Sequence, residues 1–132
     1  MKLKHFNLQL GCQFLKSFSD ESRIRILQLL FKNKEMCISD IELVLDFTQT
    51  KTSRHLIYLK NAGLVDSRKV DQWTYYSIKE EVSEFVDTIY RYLDKDPVLE
   101  KDQRVYKTLY NNRELAVCKL HQNNNRWAYQ DF

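Results

Sequence analysis

One change of period constrains this chain more than any other feature. From about Gln49 to Ala62 apolar residues recur at helical spacing, whereas beyond Gly63 they alternate, through Leu64–Val70 and again through Trp73–Ile78. Both alternating segments are rich in β-forming residues, and only Asp71-Gln72 separates them, so they read as a hairpin. Gly63 stands where a helix ends in a left-handed residue, which glycine adopts without steric cost. Only two glycines and one proline in 132 residues argue against an all-β fold built on many tight turns. Helices joined by short connections are favoured, in a chain of one domain's length.

Residues 3–18 read as a first helix, with Leu8, Leu15 and Phe18 among its apolar positions. Ser19 and Asp20 supply capping chemistry for a second helix, which carries Ile24, Leu27, Leu30 and Phe31 to about residue 32. Ser39-Asp40-Ile41-Glu42 has the form of a capping box. It predicts Ser39 as the N-cap of a third helix that buries Ile41, Val44 and Leu45. Phe47 and Thr48 interrupt, and a fourth helix follows from about Gln49 to Ala62. After the hairpin, Glu80 to about Asp94 returns to helix, with Val82, Phe85, Val86, Ile89 and Leu93 on one side. Pro97 opens a last helical region, roughly 98–122, before Asn123-Asn124-Asn125 breaks the pattern. The expected architecture is mainly α with a β-hairpin wing: a winged helix-turn-helix. Residues 1–95 form its DNA-binding and dimerisation domain, and 96–132 a C-terminal helical extension. That extension is expected to cover the dimer's far side or lengthen its interface, with Tyr106 and Leu109 pointing inward. The tail aromatics Tyr106, Tyr110, Trp127, Tyr129 and Phe132 read as packing groups rather than a ligand cage. The apolar stripe of 80–94, hard for one subunit to bury alone, points to a homodimer.

The charge is unevenly placed. Residues 1–79 hold thirteen Lys/Arg against eight Asp/Glu, and residues 80–132 hold eight against ten. The first part would face a polyanion and the second would not. Within the fourth helix Thr52, Leu56 and Leu59 are spaced as a docking face, leaving Gln49, Thr50, Lys51, Ser53, Arg54 and Ile57 elsewhere on the helix. Arg can pair bidentately with guanine and Gln with adenine, while Lys, Ser and Thr serve bases or phosphates. His55 would donate to a phosphate or brace the helix, and Arg68 and Lys69, taken to lie at the hairpin tip, would reach the backbone or minor groove. Double-stranded DNA is therefore the expected partner, and no cofactor is needed for that binding. His5, His55 and His121 have no Ser or Cys near them in a nucleophile motif, and there is no Gly-rich phosphate loop, so an enzyme is not expected. A winged helix used only to bind protein is the other alternative. Cys12, Cys37 and Cys118 are odd in number and far apart, which suits a reducing cytoplasm. No apolar run approaches membrane-helix length, and the N-terminus lacks a signal-peptide pattern, so a cytoplasmic protein is expected.

From Phe14 to Ile78 the chain resembles the ArsR/SmtB family of prokaryotic repressors. Four blocks carry the resemblance in order: FLKSFSDESRIRILQLL, EMCISDI, TQTKTSRHLIYLKNAGLV and WTYYSI. The resemblance implies a dimer held by the first helix and the helix after the wing, and repression at an operator palindrome relieved by an inducer. His55 matches the family's histidine. The resemblance also implies two metal-sensing arrangements. One needs a C-x-C at the head of the third helix with N-terminal cysteines of the other subunit. Here that block reads Cys37-Ile38-Ser39, and a serine hydroxyl is a poor ligand for soft metals. The other needs histidine with acidic residues after the wing; Glu80, Glu84 and Asp87 are present, but no histidine lies between His55 and His121. A third arrangement is local to this chain. Cys118 and His121, at i and i+3, could combine with Cys12 or Cys37 to hold As(III) or another soft metal as inducer. Free thiols are the plain alternative. A regulator with no metal inducer, answering to thiol redox state or to a partner protein, is the second functional reading.

Overall fold

The computed structural model describes residues 6–121. The chain runs α1 (Leu8–Ser17), α2 (Glu21–Asn33), β1 (Glu35–Cys37), α3 (Ile38–Leu45), α4 (Gln49–Asn61), β2 (Val65–Val70), β3 (Trp73–Ile78), α5 (Ser83–Tyr92) and α6 (Pro97–Asn111). A further helical segment begins at residue 117. The strands form one antiparallel sheet in the order β1-β3-β2, so the expected hairpin carries a third strand on its inner edge. Three residues are too few to show a period, which is why β1 is invisible in the sequence.

The helix starts follow local chemistry. Asp20 accepts from the Arg23 amide, Thr48 from the Lys51 amide and Asp96 from the Val98 and Leu99 amides, each satisfying donors that a helix leaves unpaired. Ser39 breaks expectation. The N-cap of α3 is Cys37, with no side-chain cap bond, because β1 feeds directly into the helix two residues earlier. The Ser39 hydroxyl instead meets the Cys37 thiol at 3.2 Å. At the C-terminal end of α4, Gly63 takes φ 85° directly after the C-cap Ala62, as the period change predicts.

Ile26, Leu27, Leu29 and Leu30 of α2 form the centre of the core, met by Ile41, Leu56, Leu59, Leu64, Val65, Tyr75, Val82 and Val86. On α1 the buried positions are Phe14 and Ser17, whereas Leu8 is 84% and Leu15 60% exposed. The apolar period of α1 is real, but part of it faces away from its own chain. The last helical region is also not continuous. Asn112 caps α6, and Arg113 turns back at φ 60°. Leu99 and Tyr106 enter the same core from α6, as do Leu115 and Val117 beyond it, and Leu109 packs at its edge. Trp127, Tyr129 and Phe132 lie outside the described residues, as does Asn123-Asn124-Asn125.

Candidate nucleic-acid interface

The α4 helix sits on the domain through Thr52, Leu56 and Leu59, all fully buried, with His55 beside them at 7% exposure. Thr52 adds a hydrogen bond from its hydroxyl to the Thr48 carbonyl (2.8 Å), tightening the first turn. Gln49, Thr50 and Arg54 are exposed on the opposite side, with Lys51 and Ser53 half-buried between. The helix thus presents two cations and several hydrogen-bonding groups around an N-terminus whose dipole is positive. Burial holds the His55 imidazole below its ordinary pKa, against the pull of Asp20, which favours the neutral ring. That position suits bracing of the helix more than donation to a phosphate.

The turn before α4 contributes residues that the sequence reading passed over. The Lys51 ammonium lies 4.0 Å from the centroid of the Phe47 ring, and the Arg25 guanidinium lies 5.2 Å from the same centroid. Arg23 donates to the Ser17 and Lys16 carbonyls at the end of α1 and stacks 4.1 Å over Tyr58 of α4. The signal for these is the paired arginine of Ser22-Arg23-Ile24-Arg25-Ile26, which places two cations on one amphipathic helix.

The wing differs from expectation in one respect. Arg68 is not at the hairpin tip, which Asp71 (φ 56°) and Gln72 form, but pairs with Tyr75 in mid-strand. Its guanidinium spans β3 to hold Glu35 of β1 bidentately, at 2.9 and 2.8 Å. Arg68 keeps the Glu35 carboxyl below the usual carboxylate range. Lys69 is exposed one residue nearer the tip and forms no ion pair among the described residues.

The residues of this surface lie within or beside the segment that carries family information. The model for bacterial regulatory proteins of the arsR family matches residues 20–67. An uncharacterised helix-turn-helix transcriptional regulator of Methanocaldococcus jannaschii is 37% identical over 80 residues, which are 60% of this chain and 90% of that protein. The chain belongs to the ArsR family. It is also 35% identical over 74 residues to an arsenic resistance transcriptional regulator of Pseudomonas putida, covering 56% of this chain and 58% of that one. The chain therefore spans under two thirds of that relative's length. Among solved structures, the homodimeric winged helix-turn-helix DNA-binding domain of a Mycobacterium bovis protein superposes with a TM-score of 0.61 at 27% identity, over 67% of this chain and 82% of that one. Fold and family are those of DNA-binding regulators rather than enzymes. No helix among the described residues is long and apolar enough to cross a membrane.

The ArsR-family chain does not gather its thiols. Cys37 is buried against Ser39, and burial pushes its thiol pKa up, which disfavours the thiolate that a soft metal needs. Cys118 and His121 do share a neighbourhood, but both are engaged by Tyr110. The Cys118 thiol donates to its carbonyl at 3.4 Å, and the His121 Nδ1 meets its hydroxyl at 2.9 Å. Cys12 is exposed on α1. Among the described residues no three His, Cys, Asp or Glu side chains are grouped to hold a metal ion. Within one chain these donors do not fit a soft-metal site.

Proposed function

We propose that this chain is a transcriptional repressor that binds an operator palindrome as a homodimer, with α4 in the major groove and the hairpin beside it. The observation that carries the reading is the division of α4: one face fully buried on the domain, the other offering Gln49, Thr50, Arg54 and, from its flank, Lys51 and Ser53. A two-fold dimer sets two such helices about one turn of DNA apart, roughly 34 Å. The homodimeric Mycobacterium bovis domain and the exposed Leu8 and Leu15 of α1 support the dimer.

Fluorescence anisotropy with a duplex from the protein's own promoter tests the reading, with a random duplex as control. Arg54→Ala should lose about 1–3 kcal/mol on the promoter duplex and far less on the random one. Arg68→Ala should lose less than Arg54→Ala on both, because Glu35 already occupies its guanidinium. Equal losses for Arg54→Ala on both duplexes would move base reading away from α4.

The name of the Pseudomonas putida relative brings an inducer into view. If a thiol-seeking agent, As(III) or an oxidant, releases this chain, it acts through Cys37, Cys118 or Cys12, with donors drawn from more than one subunit. Zinc at sub-micromolar free concentration should leave the DNA complex intact. The same anisotropy assay, repeated with As(III), Zn(II) and peroxide, decides between these agents.

A further inference from the structure

The C-terminal extension lies outside the segment that the family model matches, yet it grips the helix-turn-helix by its charged groups. Asp102 of α6 is 3% exposed, and its carboxylate accepts two hydrogen bonds from Arg25 of α2, from Nε at 2.9 Å and from Nη2 at 3.0 Å. A guanidinium held by such a fork has little rotational freedom left. It is held beside Phe47, 5.2 Å from the ring centroid. Phe47 occupies the turn of the helix-turn-helix, between Asp46 in the left-handed region (φ 58°) and Thr48, the N-cap of α4. The face of an aromatic ring attracts an ammonium group, and Lys51 lies 4.0 Å from the centroid of this one. Thr48 meanwhile holds the Lys51 backbone amide. Backbone and side chain of Lys51 are thus both fixed by the turn, and the turn is fixed from α6.

We propose that Asp102 is a positioning residue for DNA binding, which sets the Lys51 ammonium at the head of α4 by way of Arg25 and Phe47. The proposal rests on the DNA-binding reading above. Its physical content is that Asp102 neutralises Arg25. Without that carboxylate, two cations share one ring and repel each other, and Lys51 leaves the place where a phosphate would meet it.

The test separates this from bulk electrostatics because the two predict opposite signs. Asp102→Asn removes a negative charge, so long-range attraction alone would tighten binding to any duplex. Positioning predicts weaker binding. Anisotropy titrations of the full chain on its promoter duplex, over a series of salt concentrations, should show a roughly tenfold loss for Asp102→Asn, the scale of one hydrogen bond to a charged group. The slope of log affinity against log salt should fall by about 0.9, one phosphate contact. In a Lys51→Ala background the same substitution should change neither quantity further. Should Asp102→Asn fail to fold, as read by circular dichroism, Phe47→Leu removes the ring while keeping an apolar group and should reproduce the loss. A wild-type chain that binds no duplex overturns the DNA-binding reading itself. A wild type that binds, with Asp102→Asn binding equally or more tightly, overturns the proposal alone, as does a loss of the same size when Lys51 is already absent.

Discussion

The helix-turn-helix and the C-terminal extension are held by different forces. The first packs Leu27, Leu30, Ile41, Leu56 and Leu59 into one apolar core. The second adds Leu99, Tyr106, Leu115 and Val117 to that core and is located on it by polar bonds with fixed geometry. Arg25 holds Asp102, the Gln28 amide donates to the Leu99 carbonyl, and Asn33 and Gln103 exchange amide hydrogen bonds in both directions at 2.9 and 2.8 Å. Beyond α6, the Ala116 and Val117 amides donate to the two oxygens of Asp40 in α3, at 2.7 and 3.0 Å. Apolar burial is non-directional and gives stability, whereas paired polar groups fix register. The core therefore supplies most of the folding free energy, and the extension specifies where on the core it sits.

That contrast is sharpest at the core. Leu56→Ala should destabilise the protein by about 2–5 kcal/mol in urea unfolding, since it opens a cavity under α4. A loss under about 1 kcal/mol would show that α4 does not dock through this face. Asp40→Ala should cost less, about 1–3 kcal/mol, by leaving the Ala116 and Val117 amides unpaired. Its signature is local: hydrogen exchange should quicken over residues 115–121 while α4 stays protected. Equal quickening in α4 would mean that the two regions unfold as one unit, and the contrast drawn here would fail. The smallest effect concerns pH. Burial lowers the folded pKa of His55 below the ordinary histidine value, so the unfolded chain binds the proton more readily. The stability it contributes is present above about pH 6.5 and is lost as pH falls through that value toward the folded pKa. Unfolding curves between pH 5 and 7.5 should show this slope, and His55→Gln should flatten it.

The sequence was informative where a local rule acted alone. The switch at Gly63 located both α4 and the wing, because a period of 3.6 and a period of 2 cannot be confused over a dozen residues. Thr52, Leu56 and Leu59 were legible as a docking face for the same reason. Ser39 misled because the capping-box pattern is local, while the strand that displaces it pairs with β3, some forty residues on. Leu8 and Leu15 repeat at helical spacing whether their face meets this chain or another, so period alone could not place them. Arg68 lies short of the tip because Asp71-Gln72 make the turn and it pairs with Tyr75 before them; only its bond to Glu35 depends on sheet order, which no local pattern shows. The extension was least legible of all. Asp40 and Asp102 look like ordinary surface carboxylates, and only the folded chain brings their partners across.

The span of those partnerships governs when the extension can form. The hydrogen bonds that hold it to α2 and α3 join residues 70 to 77 positions apart. Contacts of such separation form late, because closing the intervening loop must precede any return from them. A chain emerging from its N-terminus can complete α2 through β3 before residue 97 exists. Until residues 116 and 117 arrive, Asp40 remains a hydrated carboxylate on the outside of α3 and loses its water only as the tail closes over it. The order of synthesis thus makes the helix-turn-helix and its hairpin first and the extension last.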